Sequence, residues 1–211
     1  MLLKRILLLP IALCTGVLPV AADTHDPGEQ VSDWRTSLAY LKAGNKRYME
    51  NRAMKRNTTE TDRAVLKSAQ KPFAVVVTCS DSRLSPEIIF DQKLGDIFVI
   101  RNAGNIVDTT TLGSVEYAIE HLKVPLVVVM GHDSCGAVNG AYSSGEYSEN
   151  LQTIIDSIRP VIGNCENLDA AIRRNAGNSV VLIKDNEIVR QMGATVKSAH
   201  HNIGTGEVTF Y

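Results

Sequence analysis

Three short apolar runs, FAVVVT at 73–78, DIFVIR at 96–101 and PLVVVMG at 125–131, are each dominated by β-branched residues. Runs that are apolar throughout, rather than alternating with polar residues, suit strands buried on both faces, as in a parallel sheet. The stretches between them read as helices. Ser85-Pro86-Glu87 is a helix start with Pro in the first turn, and TTLGSVEYAIEHLK at 110–123 has amphipathic spacing. The expected order is therefore β-α-β-α-β from about residue 73 to 131.

Upstream, VSDWRTSLAYLKAGNKRYMENR places Trp34, Leu38, Leu41 and Tyr48 at helical spacing, and a second helical stretch precedes the breaker Pro72. These predict an N-terminal helical arm. Downstream, the turn in HDSCGAVNGAY leads into a helix, and LQTIIDSIRPVI and NLDAAIRRNA read as two more. The tail VRQMGATVKSAHHNIGTGEVTFY predicts two short strands around Gly204-Thr205-Gly206. The fold class is α/β, a mostly parallel central sheet flanked by helices, with ligand sites expected beyond the carboxyl ends of the strands.

Composition narrows this picture. A chain of 211 residues without a linker-like segment predicts one domain, and a formal charge of −1 with interspersed signs gives no footprint for nucleic acid. A small neutral or anionic substrate fits better. The first residues differ from the rest: MLLKR is a basic start, ILLLPIALCTGVLPV an apolar stretch, and Val20-Ala21-Ala22 a small-residue cleavage site. Pro10 and Pro19 argue against a membrane anchor, and Leu13 against a lipoprotein signal at Cys14. Residues 1–22 are read as a signal peptide and 23–211 as a single domain, exported to the periplasm and free of the membrane after cleavage.

Cleavage leaves Cys79, Cys135 and Cys165, an odd number for a disulfide framework, so at least one thiol has another use. Cys165, in VIGNCENLD, has no His or second Cys nearby and reads as a structural thiol. The other two lie in polar clusters after the first and third apolar runs: Cys79 opens CSDSR at 79–83 and Cys135 ends HDSC at 132–135. Sulfur, sulfur and imidazole at adjacent strand ends form a donor set suited to zinc. Asp81 can accept a proton or hydrogen bond from a water there, and Arg83 can hold Asp81 ionised. In an extended chain the alternation would send Cys79, Asp81 and Arg83 to one side. Taken singly, the same residues also read as core thiols, a surface ion pair, a Cys79–Cys135 disulfide, or a closed structural site with Asp81 as fourth zinc ligand. Their joint occurrence at the functional edge of one sheet favours a metal site.

The segments QKPFAVVVTCSDSRLSPEIIFDQKLGDIFVIRNAGNIV and GSVEYAIEHLKVPLVVVMGHDSCGAV resemble the β-class carbonic anhydrases, with fainter echoes in LKAGNKRY and TGEVTFY. The resemblance implies an enzyme with one Zn2+ per chain that hydrates carbon dioxide to bicarbonate and a proton. It further implies an obligate homodimer embraced by the N-terminal helices, with dimers able to pair into a dimer of dimers. Carried over by position, Cys79, His132 and Cys135 are the zinc ligands and Asp81 with Arg83 the catalytic dyad. Gln70, Phe98, Ala103 and Tyr117 match substrate-pocket positions, some supplied across the dimer, and Gly136 matches a glycine whose N–H faces the substrate.

Two departures qualify the match. Some members carry Trp three residues before the first ligand cysteine, where this chain has Val76, which implies an open site with water rather than Asp81 as fourth ligand. The stretch NSVVLIKDNEIVRQMG is shorter and less regular than the family's helix and strand at this place, and the KSAHHNIG after it is unusual; His200 and His201 read as solvated tail residues. Competing functions are a carbon disulfide or carbonyl sulfide hydrolase on the same fold, a non-catalytic zinc-binding protein, and a thiol-redox protein using Cys79 and Cys135.

Overall fold

The apolar runs become β1 (Ala74–Cys79), β2 (Ile97–Asn102) and β3 (Leu126–His132), with β1 parallel to both of the others. The structure is a computed structural model describing residues 25, 29–54 and 58–211, so the predicted leader at 1–22 lies outside the described residues. Two further strands, β4 (Thr195–His201) and β5 (Val208–Phe210), complete a sheet of order β2-β1-β3-β4-β5, in which β4 is parallel to β3 and β5 antiparallel to β4. The helices in chain order are α1 (Trp34–Met49), α2 (Glu60–Leu66), α3 (Pro86–Ile89), α4 (Thr109–Glu120), α5 (Gly136–Tyr142), α6 (Glu149–Ile162), α7 (Leu168–Asp185) and α8 (Glu187–Met192). Among the described residues no helix is long and apolar enough to cross a membrane.

The two-residue period of the strands divides the core in two. Ala74, Val76, Leu126, Val128 and Met130 face one cluster, which also holds Leu41 of α1, Val138 of α5 and Ile155 and Ile158 of α6. Val75, Val77, Val127 and Val129 face the other, closed by Val115 and Ile119 of α4, Val180 and Ile183 of α7, and Val189 of α8. A strand that serves two cores has no polar face, which is why these runs are continuous.

The arm helix α1 starts at Asp33, whose side chain accepts from the Arg35 N–H. Its inner face is welded to the sheet: Ser37 Oγ donates to the Phe73 carbonyl at 2.8 Å, and Asn45 Nδ2 to the Gly206 carbonyl at 2.8 Å. Gly44 lets α1 also lie against the end of α3, since a Cβ there would lie 1.7 Å from the Phe90 carbonyl oxygen.

The C-terminal third is more regular than its sequence suggests. NSVV and LIKD continue α7 to Asp185, and Asn186 then caps α8, its side chain accepting from the Ile188 and Val189 N–H groups. The reading of His200 and His201 as solvated is overturned. They are 6 % and 2 % exposed because β4 is an interior strand, aligned so that Gly131 pairs with His200 and His132 with His201.

Candidate metal centre

Parallel neighbours end on the same side of a sheet, and this brings Cys79, the last residue of β1, beside His132, the last of β3. Cys135 joins them from the N-cap of α5. The two sulfurs and one imidazole nitrogen lie within 4.8 Å of one another, and all three residues are buried. Cys79, Cys135 and Cys165 are free thiols, so the Cys79–Cys135 disulfide does not form. His132 Nδ1 is 2.9 Å from the Asp133 carbonyl oxygen, which can only accept, so Nδ1 carries the proton and Nε2 a lone pair. That Nε2 is buried and makes no hydrogen bond. A buried polar atom left without a partner costs about 1–3 kcal/mol, and a cation bound to the two sulfurs would relieve it.

The electrostatics agree. The Cys135 thiol beside Cys79 pulls the Cys79 pKa down to about 4 against the opposing effect of burial, with His132 and the Gly104 and Asp81 N–H groups adding to the pull. Cys135 is pushed up by the same neighbour and by its own burial, because a second negative charge would stand against the first. A divalent cation removes that opposition. The turn holding Gly104 is itself fixed: its N–H lies 3.4 Å from Cys79 Sγ, its carbonyl accepts from Asn175 Nδ2 at 2.8 Å, and the Asn105 carbonyl accepts from Ser179 Oγ at 3.0 Å. Gly104 has φ of 76°, a conformation glycine adopts without strain.

Asp81 and Arg83 meet, but not by strand alternation. The strand ends at Cys79 and the chain turns, closed by the Leu84 N–H to the Asp81 carbonyl at 3.0 Å. Arg83 folds back onto Asp81, with Nε to Oδ1 at 2.9 Å, Nη2 to Oδ2 at 2.7 Å and its backbone N–H to Oδ1 at 3.0 Å. These bonds, the guanidinium first, hold the Asp81 carboxyl far below its usual range despite some burial. Asp81 is not among the donors that converge with Cys79. The sequence reading missed Arg101, whose Nη2 donates to the Asp81 carbonyl at 2.7 Å and whose Nε donates to the Cys79 carbonyl at 3.2 Å, bracing both residues from β2. Its one signal was a cation closing an otherwise apolar run.

The other expected site residues divide. Ala103 lies in the turn with Gly104, and Gly136 opens α5 directly after Cys135. Phe98 instead pairs with Val75, four residues before Cys79, or about 13 Å at ~3.3 Å per residue. Its ring lies 6.2 Å from that of Tyr117. Tyr117 and Gln70 share an open concavity with Leu94 and Ile97. A single chain therefore does not bring Gln70, Phe98 and Tyr117 to the cysteine centre. His201, also unforeseen, pairs with His132 and has both ring nitrogens buried without partners; burial above all pushes its pKa down to about 4.

Comparison with known proteins follows the same lines. The sequence model of the family described as "Carbonic anhydrase" matches residues 74–208. The chain is 50 % identical over 114 residues to carbonic anhydrase 2 of Mycobacterium tuberculosis, covering 54 % of this chain and 53 % of that protein. To the carbonic anhydrase of Mycolicibacterium smegmatis it is 45 % identical over 136 residues, covering 63 % of this chain and 64 % of that one. The matches thus span about half to two thirds of these relatives' length. Among solved structures, a tetrameric β-carbonic anhydrase of Sordaria macrospora superposes with a TM-score of 0.67 at 26 % identity, over 83 % of this chain and 96 % of that one. The Coccomyxa β-carbonic anhydrase shares the fold at 24 % identity, with a TM-score of 0.64 over 85 % and 86 % of the two chains.

Proposed function

The chain belongs to the β-class carbonic anhydrases, and from that membership we propose that it catalyses the reversible hydration of carbon dioxide to bicarbonate and a proton, with one Zn2+ per chain. The observation that carries the reading is the buried convergence of Cys79, His132 and Cys135, with an unpartnered His132 Nε2, beside a carboxylate pinned by Arg83. Zinc held by these three residues supplies Lewis-acid chemistry, making a water acidic enough to act as a nucleophile near neutral pH.

The rest is the work of the chain. Cys79 and Cys135 as thiolates balance the ion's charge, and the Asp133 carbonyl fixes the tautomer and orientation of His132. Asp81 stays ionised under Arg83; its Oδ1 already accepts two hydrogen bonds, while Oδ2 accepts one and keeps a lone pair with which to receive a proton or orient a water. Because Arg83 occupies both of those oxygens, the site is read as open, with Asp81 off the metal, which agrees with Val76. Gly136 has open space where a side chain would stand.

Gln70, Phe98 and Tyr117 belong in this reading to a neighbouring chain's pocket, in a homodimer or a dimer of dimers. Export of the mature chain from residue 23, to the periplasm, rests on the leader pattern. No observation favours the sulfur-analogue, non-catalytic or redox readings.

The decisive experiment measures zinc content and stopped-flow hydration of carbon dioxide on the purified protein, before and after Asp81→Asn. One zinc per chain with hydration that the substitution depresses is the expected result. One zinc per chain with no hydration at any pH would overturn the enzyme in favour of a zinc-binding protein.

A further inference from the structure

Next to the cysteine centre stands a second convergence of donor atoms, drawn from three separate elements. Asp133 follows β3, Asp169 lies in the first turn of α7, and His200 sits on β4. One donor atom from each lies within 4.8 Å of the others. His200 Nε2 is 2.7 Å from Asp133 Oδ1 and 3.8 Å from Asp169 Oδ1. The remaining carboxylate oxygens are held elsewhere: Asp133 Oδ2 accepts the Ile203 N–H at 3.1 Å, and Asp169 Oδ2 accepts Arg173 Nε at 2.8 Å. Both Oδ1 atoms are thereby turned toward an imidazole whose side chain is only 8 % exposed. Beside them opens a cleft of about 340 Å³ lined by Asp133, Ser134, Leu168, Asp169 and Ile172.

We propose that Asp133, Asp169 and His200 bind a second divalent cation, of the harder class represented by Mn2+. Two carboxylates and one imidazole neutralise a dication, and the carboxylate oxygens suit Mn2+, which the two thiolates of the cysteine centre disfavour. The cleft leaves room for waters to complete the coordination. Binding through Nε2 takes the imidazole in its Nδ1–H form, so the proton between Nε2 and Asp133 Oδ1 passes to the buried Nδ1. Ligand atoms at right angles on an ion at about 2.1 Å stand about 3 Å apart, so the Asp133–His200 pair must open slightly and Asp169 must close in. Asp169, 55 % exposed, has the freedom to move. Such an ion would tie β4 and α7 to the turn between His132 and Cys135, and would anchor Asp133, whose carbonyl orients His132. The role is structural, and the ion takes no part in the hydration step itself.

The test is Mn2+ titration of the zinc-loaded protein, with free Mn2+ read by electron paramagnetic resonance and thermal unfolding recorded in parallel. One Mn2+ per chain should bind and raise the melting temperature. Asp169→Asn and His200→Gln should each weaken binding at least tenfold while zinc remains at one per chain. Asp169 is exposed in a first helical turn, so its variant decides the matter even where His200→Gln does not fold. Equal Mn2+ uptake by wild type and Asp169→Asn, or none by either, would overturn the proposal and leave the trio as an imidazolium clasp between two carboxylates. The two metal assignments fail separately: zinc is lost with Cys135, manganese with Asp169.

Discussion

The interiors and the tips of β1 and β3 are equally buried yet do opposite things. Ala74–Val77 and Leu126–Val129 are fully buried aliphatic residues, shared between two cores. Each such side chain contributes roughly 1.5–3 kcal/mol of transfer free energy for larger aliphatics, less for Ala. Two and three residues further on, Cys79 and His132 are 6 % and 0 % exposed, but an imidazole gains little from apolar surroundings and a thiolate loses by them. Burial by itself therefore does not separate stability from function. What separates them is whether the buried group finds its partners within the chain: interior valines do, and His132 Nε2 does not.

The largest expected effect attacks the tips. Cys135→Ala should bring zinc to near zero by elemental analysis and hydration to background, with the secondary structure retained by circular dichroism. Full zinc content in this variant would break the contrast, because the tip would then be ordinary core. Asp81→Asn comes next. It removes the charge that Arg83 holds, and kcat/KM should fall by about 10²–10⁴, the range for losing a positioned proton acceptor, at unchanged zinc content.

Leu126→Ala reverses the pattern. It should lower stability by about 2–5 kcal/mol in denaturant unfolding, while zinc per chain in the folded fraction stays near one. A variant that kept its stability but lost its metal would merge the two regions.

The smallest effect comes from a polar group that is satisfied within the chain. Asp108 caps α4 by accepting the Thr111 N–H at 2.7 Å, and this bond, ahead of the opposing effect of burial, holds its pKa below the usual range. Asp108→Ala should cost about 1 kcal/mol at neutral pH. Since the folded pKa is the lower one, the cap is fully present above the ordinary carboxylate range and fades as the pH falls through the depressed value. The gap between wild type and variant in urea unfolding should therefore shrink below about pH 4. A gap unchanged at low pH would mean that the carboxylate charge plays no part.

Much of this architecture is legible in the sequence. Continuous β-branched runs between amphipathic segments specify parallel strands, because only two-sided burial explains a run with no polar face. The polar clusters closing the first and third runs had to lie at the same sheet edge once the strands were parallel neighbours, so Cys79, His132 and Cys135 could be placed together from sequence. Asp81 and Arg83 were also joined correctly, although through a turn rather than by alternation.

What escaped depends on contacts between residues far apart in the chain. Arg101 acts across the strand pair onto Asp81, Asn175 holds Gly104 from 71 residues away, and Asp133 meets His200 across 67. His200 and His201 became buried only because β4 lies between β3 and β5, and no local pattern in KSAHHNIG fixes that order. The separation of Gln70, Phe98 and Tyr117 from the cysteine centre likewise follows from their places on and beside β2. Local residue pattern determines which segments are strands and which atoms stand at their ends. Only the tertiary order of those strands decides which buried groups meet a partner, because that depends on neighbours the local sequence does not contain.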